Sequence, residues 1–150
     1  MQQEPRDRDA APSAADPPLD VRPHTLAAPM LRFDLRTEID EVRKQDSYHT
    51  GHPTGRTLVK EPDLRIVLMA LRTGARLEEH RASGPISIQA LEGALRLRVG
   101  EGHTELMPGS LLMVEAGVPH DVEASEDAVF LLTIGRTTYR DVSDRHESHR

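Results

Sequence analysis

A series of short apolar runs between residues 57 and 134 constrains the fold of this chain more than any other feature. Each run has the length of a β-strand and is bounded by Gly, Pro or acidic residues, a pattern typical of strands joined by tight turns. In residues 94–99, three aliphatic side chains alternate with Arg96 and Arg98, which predicts a strand with one buried face and one solvated face. We predict nine strands, at residues 57–60, 64–72, 76–81, 85–91, 94–99, 103–106, 111–114, 119–124 and 128–134.

These predicted strands favour an all-β architecture built from antiparallel pairs. No helical pattern separates one strand from the next, so residues 57–135 lack the crossover connections of a parallel sheet. Short strands with regular turns are typical of a sandwich or a barrel. We therefore expect a single β domain with one of these two architectures.

The segments on either side of the β domain differ in composition. Residues 1–30 hold six of the eleven prolines together with small and acidic residues, a composition that buries too little apolar surface to fold. Leu35, Ile39 and Val42 follow the i, i+4, i+7 spacing of a short amphipathic helix. The predicted organisation is a disordered tail at 1–30, a helix followed by a loop (48–56) within 31–56, a barrel at 57–135 and a polar tail at 136–150.

The composition excludes several classes of protein. The chain has no Cys, which excludes disulfides, thiol catalysis and cysteine-ligated zinc. Its net charge of -6 repels phosphate backbones, so we expect no nucleic-acid partner. No apolar run approaches the roughly 18 residues of a membrane span, and the N-terminal segment lacks the apolar core of a secretory signal. We therefore expect a cytoplasmic protein with no membrane partner.

The eight histidines are the candidate metal ligands and proton carriers of a chain without Cys. His80 closes one predicted strand and His120 begins another, so a barrel can bring both rings to its mouth, where such folds hold ligands. In contrast, His49 and His52 lie in a loop of Gly and Pro that fixes neither ring. We therefore take His80 and His120 as the candidate site.

The segment around His80 resembles the first motif of the cupins, a family of β-barrel proteins. In that motif a Gly, five residues and a His precede a second His, a Glu and a closing Gly. Here Gly74 precedes His80 with five residues between them, and Gly93 closes the segment. The preceding residues 57–64 are similar to those that lead into the barrel in a subset of small bacterial cupins.

The segment that ends in His120 is similar to the second cupin motif. That motif has a Gly, five residues, a Pro, any residue, a Gly, two residues and a His. Gly109, Gly117 and His120 follow this spacing, although Glu115 replaces the Pro. The residues between the two motifs, 94–108, match the compact end of the family's spacing.

The resemblance implies a double-stranded β-helix of the cupin or jelly-roll type, a homodimer and a pocket inside one end of the barrel. It also bears on metal binding, because in metal-binding cupins the first motif supplies two His and one Glu and the second motif supplies one His. In this chain the position of the second His holds Ala82 and that of the Glu holds Ile86. Half of the family's ligand set is therefore missing.

One hypothesis for this site is a metal-dependent enzyme of the dioxygenase or isomerase type. It would hold iron, manganese, nickel or zinc with His80, His120 and Glu78, which alternation places on the same strand face as His80. Two imidazole nitrogens that share one ion would lie about 3 to 4 Å apart. The sequence leaves open whether the chain is an enzyme.

The favoured hypothesis is a metal-free site with no certain cofactor. Ala82, Ile86 and Ile88 make the barrel interior apolar, and an apolar pocket with a few convergent polar groups suits a small-molecule ligand. His80 and His120 would then be hydrogen-bonding groups whose pKa values fall on burial. We expect a cupin that binds or senses a small molecule with little or no catalysis. A third hypothesis is a structural dimer in which aliphatic side chains fill the barrel.

Overall fold

The structure, a computed structural model, describes residues 19–20 and 29–136, so that most of the predicted N-terminal and C-terminal tails lie outside the described residues. The described helices are α1 (Leu35–Arg43) and α2 (Asp46–His49), and neither is long and apolar enough to cross a membrane. The strands are β1 (Leu19–Asp20), β2 (Thr54–Lys60), β3 (Leu64–Leu71), β4 (Arg76–His80), β5 (Ile86–Glu92), β6 (Leu95–Val99), β7 (Gly102–Leu106), β8 (Leu111–Val114), β9 (His120–Ala124) and β10 (Ala128–Gly135).

The strands form two sheets that enclose the main hydrophobic core. The larger sheet has the order β1-β2-β3-β10-β5-β8, and the smaller sheet has the order β4-β9-β6-β7. Adjacent strands are antiparallel except for β1 with β2. All nine predicted strands are present, and the predicted all-β jelly-roll barrel is confirmed.

The centre of the larger sheet is buried on both faces. Along β3, Val67, Met69 and Leu71 belong to the core between the two sheets. Leu68 and Ala70 belong to a second core on the outer face of the same sheet. Burial of a Val, Leu or Met side chain stabilises the fold by roughly 1.5–3 kcal/mol. Because both faces are covered, β3 is a continuous apolar run without strict alternation.

Helix α1 covers the outer face of the larger sheet next to β2 and β3. The Asp34 carboxylate caps the helix by accepting hydrogen bonds from the backbone N–H groups of Arg36 and Thr37. Ile39 and Val42 are buried against the sheet, in agreement with the predicted apolar stripe. The helix therefore closes the second core on the side away from the barrel interior.

Two parts of the predicted organisation differ from the structure. The segment 48–56 is not wholly a loop, because the buried Tyr48 lies in helix α2 and strand β2 begins at Thr54. Gly51, with a φ of 81°, follows the helical turn and allows the chain to change direction. The predicted tail 1–30 contains β1, which pairs in parallel with β2 and so satisfies backbone groups that an edge strand would leave free.

Gly93 allows two turns of the barrel to approach each other closely. Its φ is 71°, and a Cβ atom at this position would lie 2.0 Å from the carbonyl oxygen of Asp127. Only glycine combines this left-handed backbone with so short a contact. The closing Gly of the first motif is therefore required by the path of the chain.

Candidate functional site

His80 and His120 lie side by side at one end of the smaller sheet. They are paired across β4 and β9, and their Nε2 atoms are 3.1 Å apart. The two ring planes are inclined at 63°, with centroids 4.3 Å apart. Strand pairing thus brings together two side chains that are 40 residues apart in the sequence.

An extra residue in β4 turns His80 toward the interior of the barrel. Leu77 pairs with Val122 and His80 pairs with His120, so two residues of β4 oppose the single residue Asp121 of β9. Such a β-bulge interrupts the alternation of side chains between the two faces of a sheet. Leu77 and His80 therefore lie on the same face of the sheet, although regular alternation would place side chains three residues apart on opposite faces.

The bulge includes Glu78, the candidate carboxylate ligand. Glu78 is one of the two bulged residues, and its side chain is exposed. Within residues 29–136, no three His, Asp or Glu side chains are placed to hold a metal ion together. The strand-face argument for Glu78 assumed regular alternation, which the extra residue interrupts, so Glu78 stays a predicted metal ligand without that support.

The two histidines alone do not complete the metal site that the resemblance implies. Zinc, for example, takes three or four protein ligands at about 2.0–2.3 Å in its catalytic and structural sites. The positions that would supply the other ligands hold Ala82, which is partly buried, and Ile86, which is 3% exposed. Neither side chain has a donor atom. Among the residues that the structure describes, the donor set at this end of the barrel is therefore two imidazole nitrogens.

The Nδ1 atoms define the hydrogen-bonding state of the pair. His80 Nδ1 lies 2.9 Å from the Glu78 carbonyl oxygen, and His120 Nδ1 lies 2.9 Å from the Val118 carbonyl oxygen. Because a carbonyl oxygen only accepts, both Nδ1 atoms donate a hydrogen. The Nε2 atom of a neutral ring then presents a lone pair, and two lone pairs at this distance repel each other. The geometry therefore favours an electropositive group between the rings: a shared proton, the donor group of a ligand or a metal ion.

Burial favours the neutral form of His120. Its side chain is 2% exposed. Burial lowers the pKa of His120, the hydrogen bond to the Val118 carbonyl opposes this effect, and the nearby His80 adds to it.

The core residues at this end of the barrel are aliphatic. Val99 pairs with His120 across β6 and β9, and both Val99 and Ala82 are partly buried against the core. Ile86 begins β5 in the facing sheet, and Ile88 lies two residues further along that strand, at 3% and 1% exposure. The predicted pocket residues Ile86 and Ile88 thus belong to a packed interior, with Ala82 nearer to solvent.

A groove of about 490 Å³ lies on the outer face of the smaller sheet, on the other side from the histidine pair. The sequence pattern indicated only a solvated face for Arg96 and Arg98, which contribute to this groove. However, the Arg98 guanidinium donates to the Asp121 carboxylate, which is 6% exposed. Burial raises the pKa of Asp121, but the hydrogen bond and charge of Arg98 outweigh this effect and hold the pKa below its usual value.

Comparisons with known proteins identify the fold. Residues 67–134 match the family model described as a Cupin domain. A conserved protein of unknown function from Streptococcus pyogenes is similar to this chain at 25% identity over 59% of this chain and 77% of that chain, with a TM-score of 0.56. KdgF from Halomonas sp. has a similar fold at 19% identity over 57% of this chain and 82% of that chain, with a TM-score of 0.53.

A variant of oxalate decarboxylase from Bacillus subtilis is also similar. The identity is 25% over 56% of this chain and 25% of that chain, with a TM-score of 0.50. No functionally curated protein matches the sequence.

Proposed function

The chain is a small protein of the cupin superfamily with its cupin domain at residues 67–134, and we propose that this domain binds a small molecule at the His80–His120 end of the barrel, with little or no catalysis. One observation carries the proposal. Two Nε2 atoms converge at 3.1 Å among aliphatic side chains, and no third metal-ligating side chain joins them among the described residues.

The geometry also indicates a class of ligand. Two neutral imidazoles whose Nδ1 atoms already donate to carbonyl oxygens offer only acceptor lone pairs to a ligand. Val99, which pairs with His120, and Ala82 are aliphatic side chains packed against the core. A small molecule with a hydroxyl or N–H donor on an apolar body complements such a site.

The second candidate function is a metal-dependent cupin enzyme of the dioxygenase or isomerase type. The separation of the two Nε2 atoms, 3.1 Å, favours it, because two cis ligands with bonds of about 2.0–2.1 Å lie at a similar distance. The absence of a carboxylate beside His80 and His120 in the described residues makes it the weaker candidate. An iron, manganese, nickel or zinc enzyme of this kind would need a ligand from another source.

The two functions differ in metal content and in response to ligands. We expect protein purified without a His tag to contain little bound metal, and phenol to shift the methyl NMR signals of Ile86 and Val99. Toluene, which lacks the donor, should have a much weaker effect. The shifts should disappear in His80→Ala and His120→Ala and persist in His103→Ala, whose histidine is exposed on the outer face. Stoichiometric metal that is lost in both site variants would instead establish the metal-dependent function.

We also propose a homodimer in the cytoplasm. Leu111 and Met113 support the dimer, because both are 63% exposed on β8 at an edge of the larger sheet. Exposed apolar side chains on an edge strand favour association with another chain. Light scattering should give twice the monomer mass for the wild type and a lower mass for Leu111→Glu. A monomeric wild type would exclude the dimer.

A further inference from the structure

Arg98 connects Glu79 and Asp121, each of which is next to one histidine of the pair in the sequence. It lies on β6, and its guanidinium reaches over the outer face of the smaller sheet. Arg98 Nε and Nη2 lie 2.8 Å and 2.7 Å from Asp121 Oδ2, and Nη2 lies 2.5 Å from Glu79 Oε2. Asp121 follows His120 in β9, and Glu79 precedes His80 in β4.

We propose that Arg98 is a positioning residue that sets the distance between His80 and His120 by holding the bulge of β4 against β9. The proposal rests on the proposed function only in that it concerns the same two histidines. Arg98 touches neither ring. It acts from the opposite face of the sheet, through Glu79 and Asp121.

Strand β4 is held to its neighbour β9 by an interrupted ladder near His80. It is an edge strand of the smaller sheet, and none of its residues is fully buried. Its register with β9 is interrupted between Leu77 and His80. Bulged residues leave the ladder of backbone hydrogen bonds, so a side-chain contact adds the support that the missing pairing does not give. The ion pair of Glu79 with Arg98 supplies this contact inside the bulge.

Asp121, the other residue that Arg98 contacts, is buried in the sheet. The Asp121 carboxylate is 6% exposed in the second strand of the sheet, and Arg76 Nη2 also approaches it at 3.4 Å. Two hydrogen-bond donors of Arg98 converge on one oxygen of this carboxylate. Because β9 lies between β4 and β6, Arg98 reaches across β9 to hold the edge strand.

Arg96 and Glu105 provide a matched control. They also form an ion pair on the outer face of the smaller sheet, at 3.5 Å, between β6 and β7. Neither adjoins a histidine of the pair. Loss of this ion pair removes similar surface charges without affecting β4.

The experiment measures the histidine contact directly, without any ligand. In the full-length chain with 15N-labelled histidine, at one fixed pH, the His120 Nε2 chemical shift is recorded for the wild type and for His80→Ala. The difference between these two shifts reports the contact between the rings. In Glu79→Ala, we expect the His120 Nε2 shift to move most of the way from the wild-type value to the His80→Ala value. In Glu105→Ala and Arg96→Ala, it should stay at the wild-type value.

Arg98→Ala should behave like Glu79→Ala, and Arg98→Lys should give an intermediate shift, because lysine lacks the planar fork that engages two carboxylates. Arg98→Ala leaves a buried carboxylate with one partner and can destabilise the fold. The exposed Glu79 does not carry this risk, so its variant decides the outcome. The proposal is overturned if Glu79→Ala keeps the wild-type shift, or if wild type and His80→Ala do not differ. Phenol binding tests the proposed function separately, so the two can fail independently.

Discussion

The Nε2 atom of His80 faces the Nε2 atom of His120 at 3.1 Å, while the remaining ligand positions of the first motif hold aliphatic residues. The strands and turns that place a cupin site are all present in this chain. The coordinating side chains are reduced to two imidazoles among the described residues. The barrel thus retains the framework of the motif with a donor set suited to hydrogen bonding.

Removal of divalent metal should leave the stability of the protein unchanged. A resident ion stabilises a fold only when its ligands bind it more tightly in the native state. Two imidazoles, with no carboxylate placed beside them in the described part of the chain, provide a weak site. Melting temperatures measured with and without EDTA should agree within error. A lower melting temperature in EDTA that excess zinc restores would contradict this expectation.

Truncation of Ile88 tests whether this side chain lines an open pocket. Ile88 is 1% exposed within the main core. Ile88→Ala should therefore reduce the free energy of unfolding by about 2–5 kcal/mol, the usual cost of a cavity in a packed core. Met107→Ala, at a side chain 52% exposed, serves as the control and should change it by less than about 0.5 kcal/mol. A small effect at Ile88, measured by urea unfolding, would instead indicate an existing cavity beside it.

Gly93→Ala should destabilise the barrel strongly. The new Cβ atom would lie 2.0 Å from the Asp127 carbonyl oxygen, and the φ of 71° is unfavourable for alanine. We expect a loss of more than about 2 kcal/mol in urea unfolding, because the turn has to move. Gly102→Ala is the control, since its nearest contact would be 3.4 Å. Equal stability of the two variants would show that the close contact at Gly93 is relieved cheaply.

Asp127 should make the stability depend on acid pH. The backbone N–H of Thr73 donates to its carboxylate, as does the Thr73 hydroxyl, and these bonds lower the pKa of Asp127. A carboxyl group with a lowered folded-state pKa stabilises the protein above its unfolded pKa, near 4, and loses that contribution as the pH falls through the folded value.

Asp127→Ala should therefore lower the free energy of unfolding at pH 7 by roughly 0.5–1 kcal/mol, a small effect because the exposed pair is solvated. The difference from wild type should shrink as the pH is lowered from 5 to 2 in urea titrations. Glu126→Ala is the matched control on the same turn. A difference that stays constant over this range would refute the role of the ionised carboxylate.

The sequence determined the features that depend on neighbouring residues. Alternation of aliphatic and charged side chains, together with Gly and acidic turns, located all nine predicted strands and helix α1. The spacing of Gly74 and His80 indicated the first cupin motif, and Ala82 and Ile86 showed which ligands are missing. These features are readable because strand periodicity and turn chemistry act within a few residues of the chain.

Only the tertiary structure decided which side chains of β4 face the barrel. The alternation of an isolated strand assigns Glu78 and His80 to one face, but pairing with β9 accommodates an extra residue and interrupts that alternation. The contact of Arg98 with Glu79 likewise crosses an intervening strand and leaves no local pattern. The physical reason is that a bulge depends on the register between two strands distant in the sequence, so no periodicity within one strand encodes it.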